Sequence, residues 1–123
     1  MELSTTSTGN APNRDTQVPK IVSIKPAIGA MDVSPDLKEL RVTFNVRMGE
    51  GFSWTGGGPE FPTIPEGKKP FWTEDHKTCV LPVELKPNSQ YRLGLNSQSF
   101  KSFRSADGVP LAPTAYTFKT GAK

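Results

Sequence analysis

The chain has 123 residues, with 15 lysines and arginines against 12 aspartates and glutamates, a formal net charge of +3 and a pI of about 9.1. That length suits one domain and is too short for two with separate cores, and 12 prolines with 11 glycines favour short strands and turns over long helices. The composition excludes several classes: one cysteine (Cys79) rules out a disulfide within the chain, one histidine (His76) rules out a multi-histidine metal site, the dispersed cations make no nucleic-acid footprint, and no apolar run approaches a membrane span or a signal-peptide core.

Residues 1–17 are rich in Ser, Thr, Asn and Pro with almost nothing to bury, and read as a disordered linker ahead of a single domain over residues 18–121. Ile21-Val22-Ser23-Ile24-Lys25 is a β-branched run stopped by Pro26, which suits a first, edge strand. Residues 26–36 carry Gly29 for a positive φ and two prolines that exclude a helix, so they form a loop crossing between sheets. Asp32, Asp36 and Glu39 lack the dense carboxylate spacing of a calcium loop and read as caps and turn formers. From residue 39 to 46 the alternation puts Leu40, Val42, Phe44 and Val46 on a core face and Glu39, Arg41, Thr43 and Asn45 opposite, as a central strand requires.

Residues 48–77 are broken by glycines and loaded with aromatics. A short strand through Phe52 and Trp54 places an aromatic in the core, and Pro59, Pro62, Pro65 and Pro70 keep the next stretch extended and loop-like along a sheet edge. Residues 77–85 alternate Cys79, Leu81, Val83 and Leu85 against Thr78, Val80, Pro82 and Glu84. Pro82 lacks a ladder donor, so the strand must be free on one side there or bulged.

A turn on Pro87, Asn88 and Ser89 then feeds a strand with Tyr91, Leu93 and Leu95 on one face and Arg92, Gly94 and Asn96 on the other. A phenol at the start of such a strand reads as a tyrosine corner, bonded back to backbone a few residues upstream. Phe100 and Phe103, three apart, suggest a helical turn or compact loop closing one end of the core. Asp107-Gly108 is a turn, and Tyr116, Phe118 and Thr120 alternate with Thr117 and Lys119 in a last strand. The expected fold is all-β, an Ig-like Greek-key β-sandwich of about seven strands in two antiparallel sheets, with Val42, Phe44, Tyr91 and Leu93 as structural residues.

Pro26-Ala27 through Gly29-Ala30 and Asp32-Val33-Ser34-Pro35, then Val42-Thr43-Phe44 with Met48, Leu85, Pro87 and Tyr91, Asp107-Gly108 with Pro110-Leu111, and Tyr116-Thr117-Phe118 with Thr120 follow one another in an order and spacing that resemble a bacterial Ig-like domain of the surface-layer (SbsA) type. The resemblance spans roughly residues 20–120. It implies an accessory module appended to exported or cell-surface bacterial proteins, extracellular in location, with no catalytic set to carry over. The departure lies at residues 49–70, a glycine- and proline-rich aromatic insertion in place of a plain hairpin.

Function follows from what such residues can do. No nucleophile stands at a suggestive spacing from a base, so neither a catalytic set nor a cofactor or metal site is expected. The favoured reading is a non-catalytic spacer or protein-interaction module whose partners are neighbouring domains of a parent protein. The competing one is a carbohydrate- or peptide-binding module whose partner is polysaccharide, cell-wall material or a peptide, held by exposed rings of Trp54, Phe71 and Trp72. Against it stands the commoner fate of such rings, which is to cover the sandwich edge.

Overall fold

The structure, a computed structural model, describes residues 18–122; the linker expected over residues 1–17 lies outside them. Seven strands form in chain order: β1 (Ile21–Lys25), β2 (Glu39–Phe44), β3 (Trp54–Thr55), β4 (Phe71–Trp72), β5 (Thr78–Pro82), β6 (Gln90–Leu95) and β7 (Thr114–Lys119). They make two antiparallel sheets, one ordered β1-β2-β5-β4 and the other β3-β6-β7, and no helix occurs among the described residues. Alternation along the strands decides what each sheet buries. Leu40, Val42 and Phe44 of β2 and Cys79 and Leu81 of β5 meet Tyr91, Leu93 and Leu95 of β6 and Tyr116 and Phe118 of β7 in one apolar cluster. Each such side chain contributes about 1.5–3 kcal/mol by leaving water.

β1 is an edge strand, bulged between Ile21 and Ser23, and pairs with β2. The chain then changes sheets. Gly29, at φ +82°, donates its N–H to the Thr117 carbonyl at 2.7 Å, and Val33 donates to Lys119 at 3.0 Å. In return Lys119 and Gly121 donate to Ala30 and Val33, each at 2.9 Å, so residues 29–33 run parallel to the end of β7. The loop expected to cross between sheets thus borrows the free edge of β7.

Pro82 sits where its missing N–H costs little. Val83 donates toward β2, to the Lys38 carbonyl at 2.9 Å, so the Pro82 nitrogen faces the β4 side. There the two-residue β4 has already ended opposite Val80. β4 itself departs from the expected loop: Phe71 and Trp72 lie beyond the last of the four prolines and are free to pair with β5.

At one end of the sandwich the Tyr91 hydroxyl accepts the Lys86 N–H at 2.8 Å, across the turn that holds Asn88 at φ +53°. Thr120 closes the same turn, donating to the Lys86 carbonyl at 2.5 Å and accepting the Ser89 N–H at 2.9 Å. At the other end the expected alternation fails at Asn96. Its φ of +66° turns the side chain inward, where it is 3% exposed instead of sharing the outer face with Arg92 and Gly94. The carboxamide donates to the Phe103 and Leu111 carbonyls at 2.8 and 2.9 Å and accepts the Phe103 N–H at 2.9 Å.

Phe100 and Phe103 therefore part company. No helical turn forms; Phe103 is fully buried, while Phe100 is 64% exposed.

Two substitutions separate these tethers. Asn96→Ala strands two buried backbone groups, the Phe103 N–H and the Leu111 carbonyl, while the Phe103 carbonyl keeps the Leu111 N–H; it is expected to cost about 3 kcal/mol, whereas Tyr91→Phe removes one hydrogen bond and costs about 1 kcal/mol, both read by urea unfolding. Equal and negligible losses would contradict the assignment.

Candidate functional site

The aromatic residues of the 49–72 insertion divide around Phe103. Trp54 on β3 meets that ring edge-on, with centroids 5.3 Å apart at 85°, and Trp72 on β4 does the same at 6.0 Å and 81°. Phe44 of β2 completes the node at 5.7 Å from Phe103 and 6.0 Å from Trp72. Such tilted and edge-to-face pairs add about 0.5–1.5 kcal/mol each beyond area burial. Both tryptophans are half-buried, and the Trp72 indole N–H donates to the Glu50 carbonyl at 3.2 Å. Phe71 precedes Trp72 on a strand, so it points to the opposite face, where it is half exposed above Val80. The three rings do not form one platform: two face inward to a common neighbour and the third faces out.

What the insertion does build is a groove of about 620 Å³ along residues 52–56. Leu81 lies at its floor, Phe61, Ile64 and Pro70 flank it, and Ser97 and Phe100 complete the lining. No charged side chain lines it. Its hydroxyls are already engaged, Ser53 accepting the Ser102 N–H at 2.9 Å and Thr55 donating to the Asn96 carbonyl at 3.4 Å. Gly94 makes the second contact possible, because a Cβ there would stand 2.6 Å from the Thr55 hydroxyl. Asn96 donates its N–H to the Ser53 carbonyl at 2.9 Å, so Trp54, one residue on, turns its own main-chain N–H and C=O away from β6. The groove therefore offers apolar surface and a short stretch of free strand edge. No His, Cys, Asp, Glu, Lys or Arg side chain lines it.

The chain's one thiol is equally quiet. Cys79 lies in the core, where burial pushes its pKa up from 9.0 to about 12, offset in part by the Trp54 indole beside it. Burial likewise holds the Tyr116 phenol well above its ordinary 10.0, with its hydroxyl donating to the Pro26 carbonyl at 2.5 Å. Val42, Phe44, Tyr91 and Leu93 all line the core, as structural residues would. Among the described residues no three His, Cys, Asp or Glu side chains gather as metal ligands, and no helix is long and apolar enough to cross a membrane.

Comparison with known protein families and with curated proteins finds no match.

The raised thiol and phenol pKa values carry a sign. Groups more basic in the folded state stabilise it fully below their unfolded pKa values, and that share is lost as pH rises. Urea midpoints should hold steady to about pH 9 and fall across the window from 9.0 toward 12. Cys79→Val should flatten that fall, leaving the part due to Tyr116; an unchanged slope would mean that the thiol ionises in place.

Proposed function

We propose that this chain is a non-catalytic Ig-like accessory module, a spacer or protein-interaction domain of a larger exported or cell-surface bacterial protein. One observation carries the reading: the path of the chain through the fold. Residues 19–24 border the same groove as Thr114, the first residue of β7, so the described chain enters at that end. Residues 29–33 then travel parallel to β7, which delivers the chain to the opposite end past Thr120. Six residues of strand set these ends roughly 20 Å apart. A module threaded from end to end suits neighbours placed on either side of it.

The Ig-like Greek-key part of the proposal draws on strand order. First, second, fifth and fourth strands in one sheet, with third, sixth and seventh in the other, supports this reading, since it is the order expected of a seven-stranded constant-type Ig sandwich. The tie from Tyr91 to Lys86 adds the corner at the start of the sixth strand. The spent hydrogen bonds of Asn96, Thr120 and Tyr116 support a structural role, since each fastens a loop. Location at the cell exterior, and neighbouring domains as partners, follow from the resemblance to surface-layer Ig-like domains.

The groove beside Trp54 favours a second reading, a peptide- or carbohydrate-binding module. Of the three rings first considered, only Trp54 lines it. Titration with cell-wall polysaccharide fragments and with extended apolar peptides, followed at the Trp54 indole resonance, separates the two readings. Saturable shifts favour binding and silence favours the spacer.

A spacer must also transmit load. Pulling on the two ends of the chain shears the four hydrogen bonds between residues 29–33 and the β7 edge together. Single-molecule extension is expected to give one sharp rupture, at a force lowered by Val33→Pro, which deletes the donor to Lys119. Smooth lengthening without a rupture would count against a load-bearing module.

A further inference from the structure

The two sheets are guarded unequally at their edges. β1 is bulged between Ile21 and Ser23, and β7 is covered by residues 29–33, two devices that keep a strand from pairing with another chain. β3 and β4, which end the two sheets on the other side, carry neither, and β3 bears no charge. The groove of about 620 Å³ lies here. On one wall the main-chain N–H and C=O of Trp54 point away from β6. On the other, the pairing of β5 with β4 stops at Phe71 opposite Val80 and resumes only where Glu84 donates to the Thr63 carbonyl at 2.8 Å, so Leu81 lies in the gap between. Phe100, 64% exposed, and Ile64, 36% exposed, leave large apolar surface in water along the lining.

We propose that this groove takes an extended peptide segment, paired main chain to main chain with β3 at Trp54, its alternate apolar side chains set against Phe61, Ile64 and Phe100 and an acidic residue beyond them meeting Lys68 and Lys69. This names the ligand class of the groove described as a second reading above, and rests on it. An added strand needs only the free N–H and C=O that Trp54 offers, and its period-two alternation turns every second side chain to the groove. Those side chains must be apolar, because a charge placed against an uncharged lining loses its hydration without a partner. A sugar would need polar side chains instead, and Ser53, Thr55 and Ser97 of the lining already spend their hydroxyls on the Ser102 N–H, the Asn96 carbonyl and the Phe100 N–H. Charge sets the end of the segment. Lys68 and Lys69 immediately precede Pro70 of the lining, both are exposed, and among the described residues neither has a carboxylate within ion-pair distance. Of the carboxylates on the same loop, Glu66 sits inside the turn closed by Lys68 and Pro65, and Glu60 borders a different cleft over β6. Exposed lysines are screened by salt, so they select and orient the segment more than they tighten it.

The test is titration of the full chain with the capped peptide acetyl-Ser-Val-Thr-Val-Ser-Asp-Asp-amide, followed at the Trp54 main-chain amide. Saturable shifts and slowed exchange of that amide are expected, with affinity falling several-fold in Phe100→Ser, in the double variant Lys68→Glu with Lys69→Glu, and for a peptide with Lys in place of both Asp. Phe100, Lys68 and Lys69 are exposed, so these variants leave the core intact. Two further copies of the peptide, N-methylated at its odd or at its even residues, probe the pairing itself: a strand turns alternate N–H groups to opposite sides, so one copy should lose binding and the other keep it. Equal behaviour of the two copies, or peptide binding that leaves the Trp54 amide unmoved, would overturn the proposal. Saturation by cell-wall polysaccharide fragments in place of the peptide would overturn it while leaving the groove a binding site; silence toward both would remove the groove reading along with it.

Discussion

The buried carboxamide of Asn96 is the constraint on which one end of this molecule depends. A loop that folds back over a core must find partners for its main-chain groups, because each buried group left unpaired costs about 1–3 kcal/mol. Residues 97–111 have no long strand neighbour to supply them. Asn96 does so from the end of β6, bonding both backbone groups of Phe103 and the carbonyl of Leu111. Its left-handed backbone is part of the device, since a continued strand would aim the side chain into solvent.

From that clamp the packing follows. Phe103 is delivered into the interior from a loop rather than a strand, and Phe44, Trp54 and Trp72 arrange themselves around it. Two very short strands, β3 and β4, thereby gain a purpose beyond their few ladder bonds: each carries one indole to the node. The opposite end uses the same economy with hydroxyls in place of an amide. Tyr91 and Thr120 hold Lys86 by its N–H and its carbonyl, fixing the turn that launches β6. Polar side chains in this interior hold loops in place, and the proposed spacer role draws on that.

Much of this was legible in the residues. β2, β5, β6 and β7 announce themselves because period-two alternation is what a half-buried strand demands, and Pro82 correctly demanded a side free of pairing. Tyr91 was legible because its position after a Pro-Asn-Ser turn sets its reach. Asn96 was not, because alternation assigns it to the outer face and nothing local signals the positive φ except its identity as asparagine. For Phe100 and Phe103 the spacing left a helical turn and a compact loop both open; a loop forms, and hydrogen bonding to the Asn96 side chain decides which ring goes in. β4 escaped notice because two residues carry no periodicity, and the inward turn of Trp72 depends on a register that only β5 provides. The groove by β3 is a relation between a strand edge and a proline-rich loop, visible only when both are in place.

If Asn96 is what holds the loop, Phe103 cannot be released without unfolding the molecule. The measurement that decides this is native-state hydrogen exchange at the Phe103 amide, bonded to Asn96 Oδ1, compared with the amides at the centre of β6. The account predicts that Phe103 exchanges only with global unfolding, with the same free energy and the same denaturant dependence as those strand amides. Exchange of Phe103 by a separate, denaturant-insensitive opening while β6 stays protected would show that the loop detaches on its own and that the carboxamide is not the keystone proposed.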